Sequence, residues 1–231
     1  LPEHLSNGIC SLRPDEDKLT YSVVFQMNEN SDVKHYEIVK TVTRSNRRFT
    51  YEEAQEIIET GEGDYKEEIL ALDKLAKNLR QKRFDKGAIA FDREEVRFEI
   101  DENGKPLSVF FKVQKDSNKL IEEFMLLANQ TVAAHIGKPG RGQRAKTFVY
   151  RIHDTPDPDK LENFSQFISK FGYKLRTTGK QLQISSSINA LLDEVEGKKE
   201  QNLIETLAVR SMAKALYSTE NIGHYGLAFD Y

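Results

Sequence analysis

The sequence predicts an α+β fold: a mixed, mostly antiparallel sheet with packed helices, built as a single unit over residues 1–231. Three observations carry this. Apolar residues alternate with period two over residues 19–25 and again over 96–100, as in half-covered strands. Each of these stretches is followed by a turn-prone segment and a second strand-like run, the pattern of antiparallel hairpins. Between and after them, apolar residues recur at helical spacing, and neither an internal repeat nor a low-complexity linker divides the chain.

Leu19, Tyr21, Val23 and Phe25 define the first strand, and residues 36–42 return after the turn-forming Asn28-Glu29-Asn30-Ser31-Asp32. Thr50 and Glu53 make a capping box, so a helix begins at Tyr51 and runs to Gly61 or Gly63. Ile69, Leu72, Ala76 and Leu79 continue at helical spacing in a longer helix that ends near Phe84. Gly87 breaks it, and residues 88–91 read as a short strand. Val96, Phe98 and Ile100 then alternate toward Asn103-Gly104, a strong hairpin signal, and residues 106–113 return. A helix over residues 117–136 places Leu120, Phe124, Leu127 and Thr131 along one side. Beyond it come a basic loop over residues 137–142, a strand at 147–152 and an amphipathic helix at 158–171 closed by Gly172. Helices at 188–195 and 200–217 precede the glycine-containing end.

Composition excludes several classes. The longest apolar run, around Phe124, is far short of the roughly 20 residues that span a bilayer, so no membrane partner is expected. The start carries neither methionine nor a signal-peptide pattern, which points to a piece of a cytoplasmic protein. Cys10 has no second cysteine to pair with and reads as a buried structural thiol. The histidines lack the paired spacings of a zinc site, so no zinc is expected. Asp154-Thr155-Pro156-Asp157-Pro158-Asp159 is dense in carboxylates, but its prolines and its place before a helix make it a capping loop.

Net charge is −3, which at first disfavours a nucleic-acid partner. The basic residues are clustered, however: Arg44, Arg47 and Arg48; Lys77, Arg80, Lys82, Arg83 and Lys86; Lys138, Arg141, Arg144 and Lys146. Clusters of this kind either form a solvated surface or line a groove for phosphates. The loop Gly137-Lys138-Pro139-Gly140-Arg141-Gly142 lacks the Gly-Lys-Ser/Thr ending of a nucleotide-binding loop and reads as a mobile basic surface loop.

Three segments stand out: Arg47-Arg48-Phe49-Thr50-Tyr51-Glu52-Glu53-Ala54, Gly87-Ala88-Ile89-Ala90-Phe91, and Asn118-Lys119-Leu120-Ile121-Glu122-Glu123-Phe124-Met125-Leu126-Leu127-Ala128-Asn129. Together with Leu1-Pro2-Glu3-His4-Leu5-Ser6-Asn7 and His224-Tyr225-Gly226-Leu227-Ala228-Phe229, they resemble the RNB catalytic domain of the ribonuclease II and ribonuclease R family. The resemblance implies a truncated RNB-type domain. That family's magnesium-binding aspartates are expected upstream of Leu1, and its catalytic arginine segment, Ser-Pro-Ile-Arg-Arg, beyond Tyr231. For the full-length parent it implies processive, magnesium-dependent 3′-to-5′ hydrolysis of single-stranded RNA to nucleoside 5′-monophosphates. No catalytic residue is assigned to this chain, which is expected to be inactive alone. The rival is a non-catalytic RNA-binding or protein-interaction module of the same fold.

Binding residues follow from chemistry and resemblance together. Reading single-stranded RNA without regard to sequence needs flat side chains on which any base can stack. Phe91 is either a core aromatic at a strand end or such a platform, and the resemblance favours stacking near the 3′-terminal nucleotide. Tyr51, in the first turn of a capped helix, lies where backbone N–H groups suit a phosphate or ribose, or packs across the helix start. The resemblance implies that it contacts RNA. Arg47 and Arg48 beside it supply charge for phosphates. Glu122 and Asn129 lie seven residues apart, almost in line along a helix, and could accept from a ribose 2′-hydroxyl. The resemblance implicates Glu122 in preferring RNA over DNA, although a surface pairing with Lys119 would also account for it. Glu123 projects about 100° away and is the weaker candidate. His224 and Tyr225 either line the catalytic cavity or form a packed turn.

Overall fold

The computed structural model describes residues 2–91, 95–138, 142 and 144–231. Helices alternate with three two-stranded antiparallel ladders among these residues, so the α+β class holds. They divide into two compact units, Leu1–Leu79 with Lys115–Ala128, and Arg80–Gln114 with Asn129–Tyr231.

In the first unit, β1 (Asp17–Met27) pairs with β2 (Val33–Arg44) from Asp17 opposite Arg44 to Met27 opposite Val33. The turn closes because Asn28 Oδ1 accepts from the N–H groups of Asn30 and Asp32, while Ser31 takes a left-handed φ of 61°. The apolar face is not uniformly covered: Leu19 and Tyr21 are 89% and 74% exposed. The other face carries Thr20, Ser22, Thr41 and Thr43, whose hydroxyls form contacts of 2.6, 2.7 and 2.8 Å. Alternation alone specifies two faces and cannot say which of them a second layer will cover.

α1 (Tyr51–Thr60) starts at the capping box. Thr50 Oγ1 accepts from the Glu53 N–H, the Glu53 carboxylate accepts from the Thr50 N–H, and Gly61 ends the helix at φ 71°. That backbone N–H holds the Glu53 carboxyl below its usual range. α2 (Lys66–Asp85) and α3 (Asp116–Gly137) follow. The buried Gln55 accepts from the Ser117 N–H at 3.0 Å, tying α1 to the first turn of α3. Lys77 bridges the buried Asp73 at 2.8 Å and the partly exposed Asp116 at 2.9 Å, and its hydrogen bond to Asp73 raises the ammonium's pKa.

The second unit holds the hairpin β3 (Glu95–Ile100) and β4 (Pro106–Lys112), whose turn is fixed by Asp101 Oδ1 accepting from Asn103 and Lys105 and by Gly104 at φ 80°. β5 (Tyr150–Ile152) pairs with β6 (Leu216–Ser218). The core is built by α4 (Pro158–Ser169), α5 (Gln181–Val195) and α6 (Gln201–Ser211), which bury Leu161, Ile168, Ile188, Leu191 and Ile204 to 2% exposure or less. Asp157 caps α4 by accepting from the N–H groups of Asp159 and Lys160, with Pro158 in the first turn, so the carboxylate-rich segment does act as a capping loop.

Four expectations are corrected. The segment from Ala88 to Phe91 forms no strand among the described residues, because its polar groups are taken by Asn189 and Gly226. The helix expected at 188–195 begins seven residues earlier, at Gln181, where polar Gln and Ser side chains hide the helical period. The helix expected to reach residue 217 stops at Ser211, since Met212 turns extended into the core and Leu216–Ser218 pairs with Tyr150–Ile152. Cys10, read as buried, is exposed, at the end of the helical turn His4–Ile9, which itself buries no side chain. The expected basic loop falls largely outside the described residues, since these omit Pro139, Gly140 and Arg141. No helix among the described residues is long and apolar enough to cross a membrane.

Candidate functional site

In the first unit, the chain before α1, the first half of α2 and the start of α3 enclose a groove of about 580 Å³. Arg47, Phe49, Tyr51 and Ala54 form one wall, Tyr65, Ile69 and Leu72 another, and Ser117, Leu120 and Ile121 the third. The capping box sets this geometry by turning the chain sharply at Thr50, so Tyr51 enters the groove in the first helical turn. Tyr51 is 43% exposed, which rules out a fully packed role at the helix start. Tyr65 takes a left-handed φ of 56° ahead of α2, and its ring meets Phe49 edge-on at 6.2 Å.

Arg47 lies over the Phe49 ring at 4.9 Å and reaches Glu53 at 3.3 Å and Asp64 at 3.8 Å. These ion pairs are well exposed, and exposed pairs contribute only about 0–1 kcal/mol, so a phosphate could displace them. Arg48 is exposed and does not line the groove. Glu122 is half-buried beside the lining residue Ile121, and Asn129 is exposed two turns further along α3. The inward carboxylate of this helix is Glu123, 3% exposed, because Ser117, Leu120 and Glu123 share the buried face.

Phe91 belongs to the second unit. It is half-buried, packs against the core and lines a cavity of about 140 Å³ with Ala90, Leu192, Asp193, Glu196 and Gln201. Phe91 therefore packs against the core with part of its surface left open to the cavity. The segment that carries it is held by three hydrogen bonds: Ile89 N–H donates to Gly226 O at 2.9 Å, Ala90 N–H to Asn189 Oδ1 at 3.0 Å, and Asn189 Nδ2 to Ala88 O at 2.9 Å. The carboxylates of Asp193 and Glu196 make this cavity a poor place for a phosphate and leave the ring face for a neutral base.

In the second unit, His224 and Tyr225 are placed in a turn beside a cavity. They form a packed turn and line a cavity of about 390 Å³ with His153, Gln181, Lys86 and Gln130. His153 Nδ1 accepts from the Gly226 N–H at 2.9 Å, so its proton sits on Nε2 and is donated to Ala213 O at 2.8 Å. The His224 ring lies 4.9 Å from it, with Nδ1 buried and without a hydrogen-bond partner among the described residues. Burial first, and His153 second, lower the pKa of His224 to about 4. In the unfolded chain this group titrates near its usual 6.5, so between the two values the unfolded state binds more protons. Stability is therefore full above about pH 6.5, falls as the pH is lowered toward 4 and levels off below. After discounting for partial exposure, the loss is on the order of 2 kcal/mol. Urea midpoints measured from pH 7 to pH 4 for the chain and for His224→Phe check this, since the variant should lack most of the slope.

Among the described residues, no group of three or more His, Cys, Asp or Glu side chains is placed to hold a metal ion.

Sequence reasoning missed Phe49, Tyr65 and Ser117 as lining residues. Phe49 lay inside a motif already singled out, whereas Tyr65 and Ser117 carry no local signal, since only the packing of α2 and α3 brings them to Tyr51.

The RNB domain family matches residues 1–231. Ribonuclease R of Aquifex aeolicus is 35% identical over 100% of this chain and 33% of its own length. Ribonuclease R of Mycoplasma genitalium, in a solved complex with ribose-methylated single-stranded RNA, superposes with a TM-score of 0.85 at 23% identity, covering 100% of this chain and 36% of that one. The yeast protein Ssd1, described as a pseudonuclease, has a TM-score of 0.70 at 17% identity, covering 100% of this chain and 28% of that one. The two structural likenesses establish the fold. The chain spans about a third of the length of the curated relatives it matches. It is similar to curated proteins named ribonuclease R, and it belongs to the RNB domain family.

Proposed function

We propose that this chain is the strand-holding part of a processive 3′-to-5′ exoribonuclease that hydrolyses single-stranded RNA to nucleoside 5′-monophosphates. The observation that carries the reading is the placement of Arg47 and Tyr51 on one aromatic-walled groove in a chain that matches the RNB domain throughout. Tyr51 offers a ring face and a hydroxyl that both donates and accepts, and Arg47 and Arg48 offer charge to phosphates. Phe91 offers a second ring, worth roughly 1–3 kcal/mol for each stacked base. Glu122 is the residue we assign to accepting a ribose 2′-hydroxyl, which favours RNA over DNA. The residues described here position a strand, and the metal chemistry of hydrolysis is assigned to other residues of the longer protein.

The test uses 5′-labelled single-stranded RNA and DNA of equal sequence, incubated with this chain and with the full-length protein, with and without magnesium. The chain should retain RNA better than DNA and shorten neither, while the full-length protein should produce a ladder shortened from the 3′ end. Magnesium-dependent trimming by the chain alone would refute the division of labour. The likeness to a pseudonuclease supports a second reading, a module that binds RNA without cutting it. Retention of RNA by the full-length protein with no shortening at all would favour that one.

A further inference from the structure

Ser117 is 2% exposed, lies on the groove wall, and its hydroxyl is a buried atom with no hydrogen-bond partner among the described residues. Its backbone N–H is already satisfied by Gln55, which fixes the residue in place and leaves the hydroxyl to be explained. Buried hydroxyls are normally paired, and one that is not marks a place where a ligand or an ordered water completes the site. Around it the walls are apolar and aromatic, with Phe49, Tyr65 and Leu120 contributing, and Arg47 and Tyr51 also line the groove. A ligand matched to these walls is flat, largely apolar on its faces, capable of hydrogen bonding at its edge, and joined to an anionic group near Arg47. From this geometry we propose that the groove is a nucleobase pocket in which the edge of one base of a bound single strand pairs with the Ser117 hydroxyl while its phosphate meets Arg47. This deepens the RNA-binding reading above and rests on it.

The hydroxyl donates and accepts equally well, so the pocket takes any base and selects against a strand that lacks one. The test compares this chain with Ser117→Ala by fluorescence anisotropy, using a labelled twelve-nucleotide oligouridylate and a ribose-phosphate strand of the same length without bases. Removing an unpaired buried hydroxyl should leave the thermal midpoint unchanged or raised. Affinity for oligouridylate should nonetheless fall about five- to tenfold, the cost of one lost hydrogen bond, with no change for the baseless strand. Opposite movements of stability and base-dependent affinity cannot arise from a merely structural role. If the unsubstituted chain binds oligouridylate and Ser117→Ala binds it equally well, the pocket assignment is overturned while the RNA reading stands. Equal loss on both strands would also overturn it, because the effect would then come from the backbone. Failure of the unsubstituted chain to bind RNA would overturn both.

Discussion

Replacing Asn189 by alanine is expected to destabilise the Gly87–Phe91 segment by about 2–4 kcal/mol, because each buried backbone group stripped of its partner costs roughly 1–3 kcal/mol. Asn189 on α5 performs two tasks with one amide: its oxygen accepts from the Ala90 N–H at 3.0 Å and its nitrogen donates to the Ala88 carbonyl at 2.9 Å. Ala88 is fully buried, so water cannot readily take over. The side chain takes the place of a neighbouring strand, which is why the segment belongs to no ladder among the described residues. Hydrogen exchange of the Ile89 and Ala90 amides is the direct readout, since every 1.4 kcal/mol of lost protection speeds exchange about tenfold. Asn189→Asp should lose at least as much at neutral pH, because the carboxylate still accepts from Ala90 but sets a charged oxygen against the Ala88 carbonyl. Equal protection in Asn189→Ala and the unsubstituted chain would show that these hydrogen bonds do not hold Phe91 in place. Affinity for base-bearing RNA should fall with protection, because Phe91 follows Ala90 directly.

Ile188→Ala, one residue away on the same helix, should cost about 2–5 kcal/mol through lost burial and the cavity left behind. Ile188 has no exposed surface and sits in the cluster formed with Leu161, Phe164, Leu191 and Ile204. The three helices α4, α5 and α6 meet there, so collapse of the site would have to move whole helices. Ile188→Val should cost only about 0.5–1.5 kcal/mol, since it removes a single methyl group. Urea titrations followed by circular dichroism and by hydrogen exchange within α5 separate the two variants. Similar midpoints for both would mean that the core repacks around the gap.

How much of this was legible beforehand depends on the range of the interaction involved. The capping box at Thr50 and Glu53, the Asn103-Gly104 turn and the helix-capping role of Asp157 were readable because each is completed within a few residues. The end of α6 was not, because the run after Ser211 has helical composition and is drawn into β6 only by Tyr150–Ile152, far away in the chain. Glu122 was preferred to Glu123 on helical angle and on the resemblance, neither of which shows that packing turns the Glu123 carboxylate inward.

The same division applies to function. Taken by itself, the sequence determined the α+β class, the two hairpins, the capped helix starts at Thr50 and Asp157, and the family, since turns, caps and motifs are written in neighbouring residues. Only the tertiary structure decided that Tyr51 shares a groove with Tyr65 and Ser117, and that a side-chain amide from Asn189 holds the Phe91 segment. Those partners lie on different helices, and burial and hydrogen-bond satisfaction, which depend on three-dimensional packing, have no signature in the order of residues along one of them.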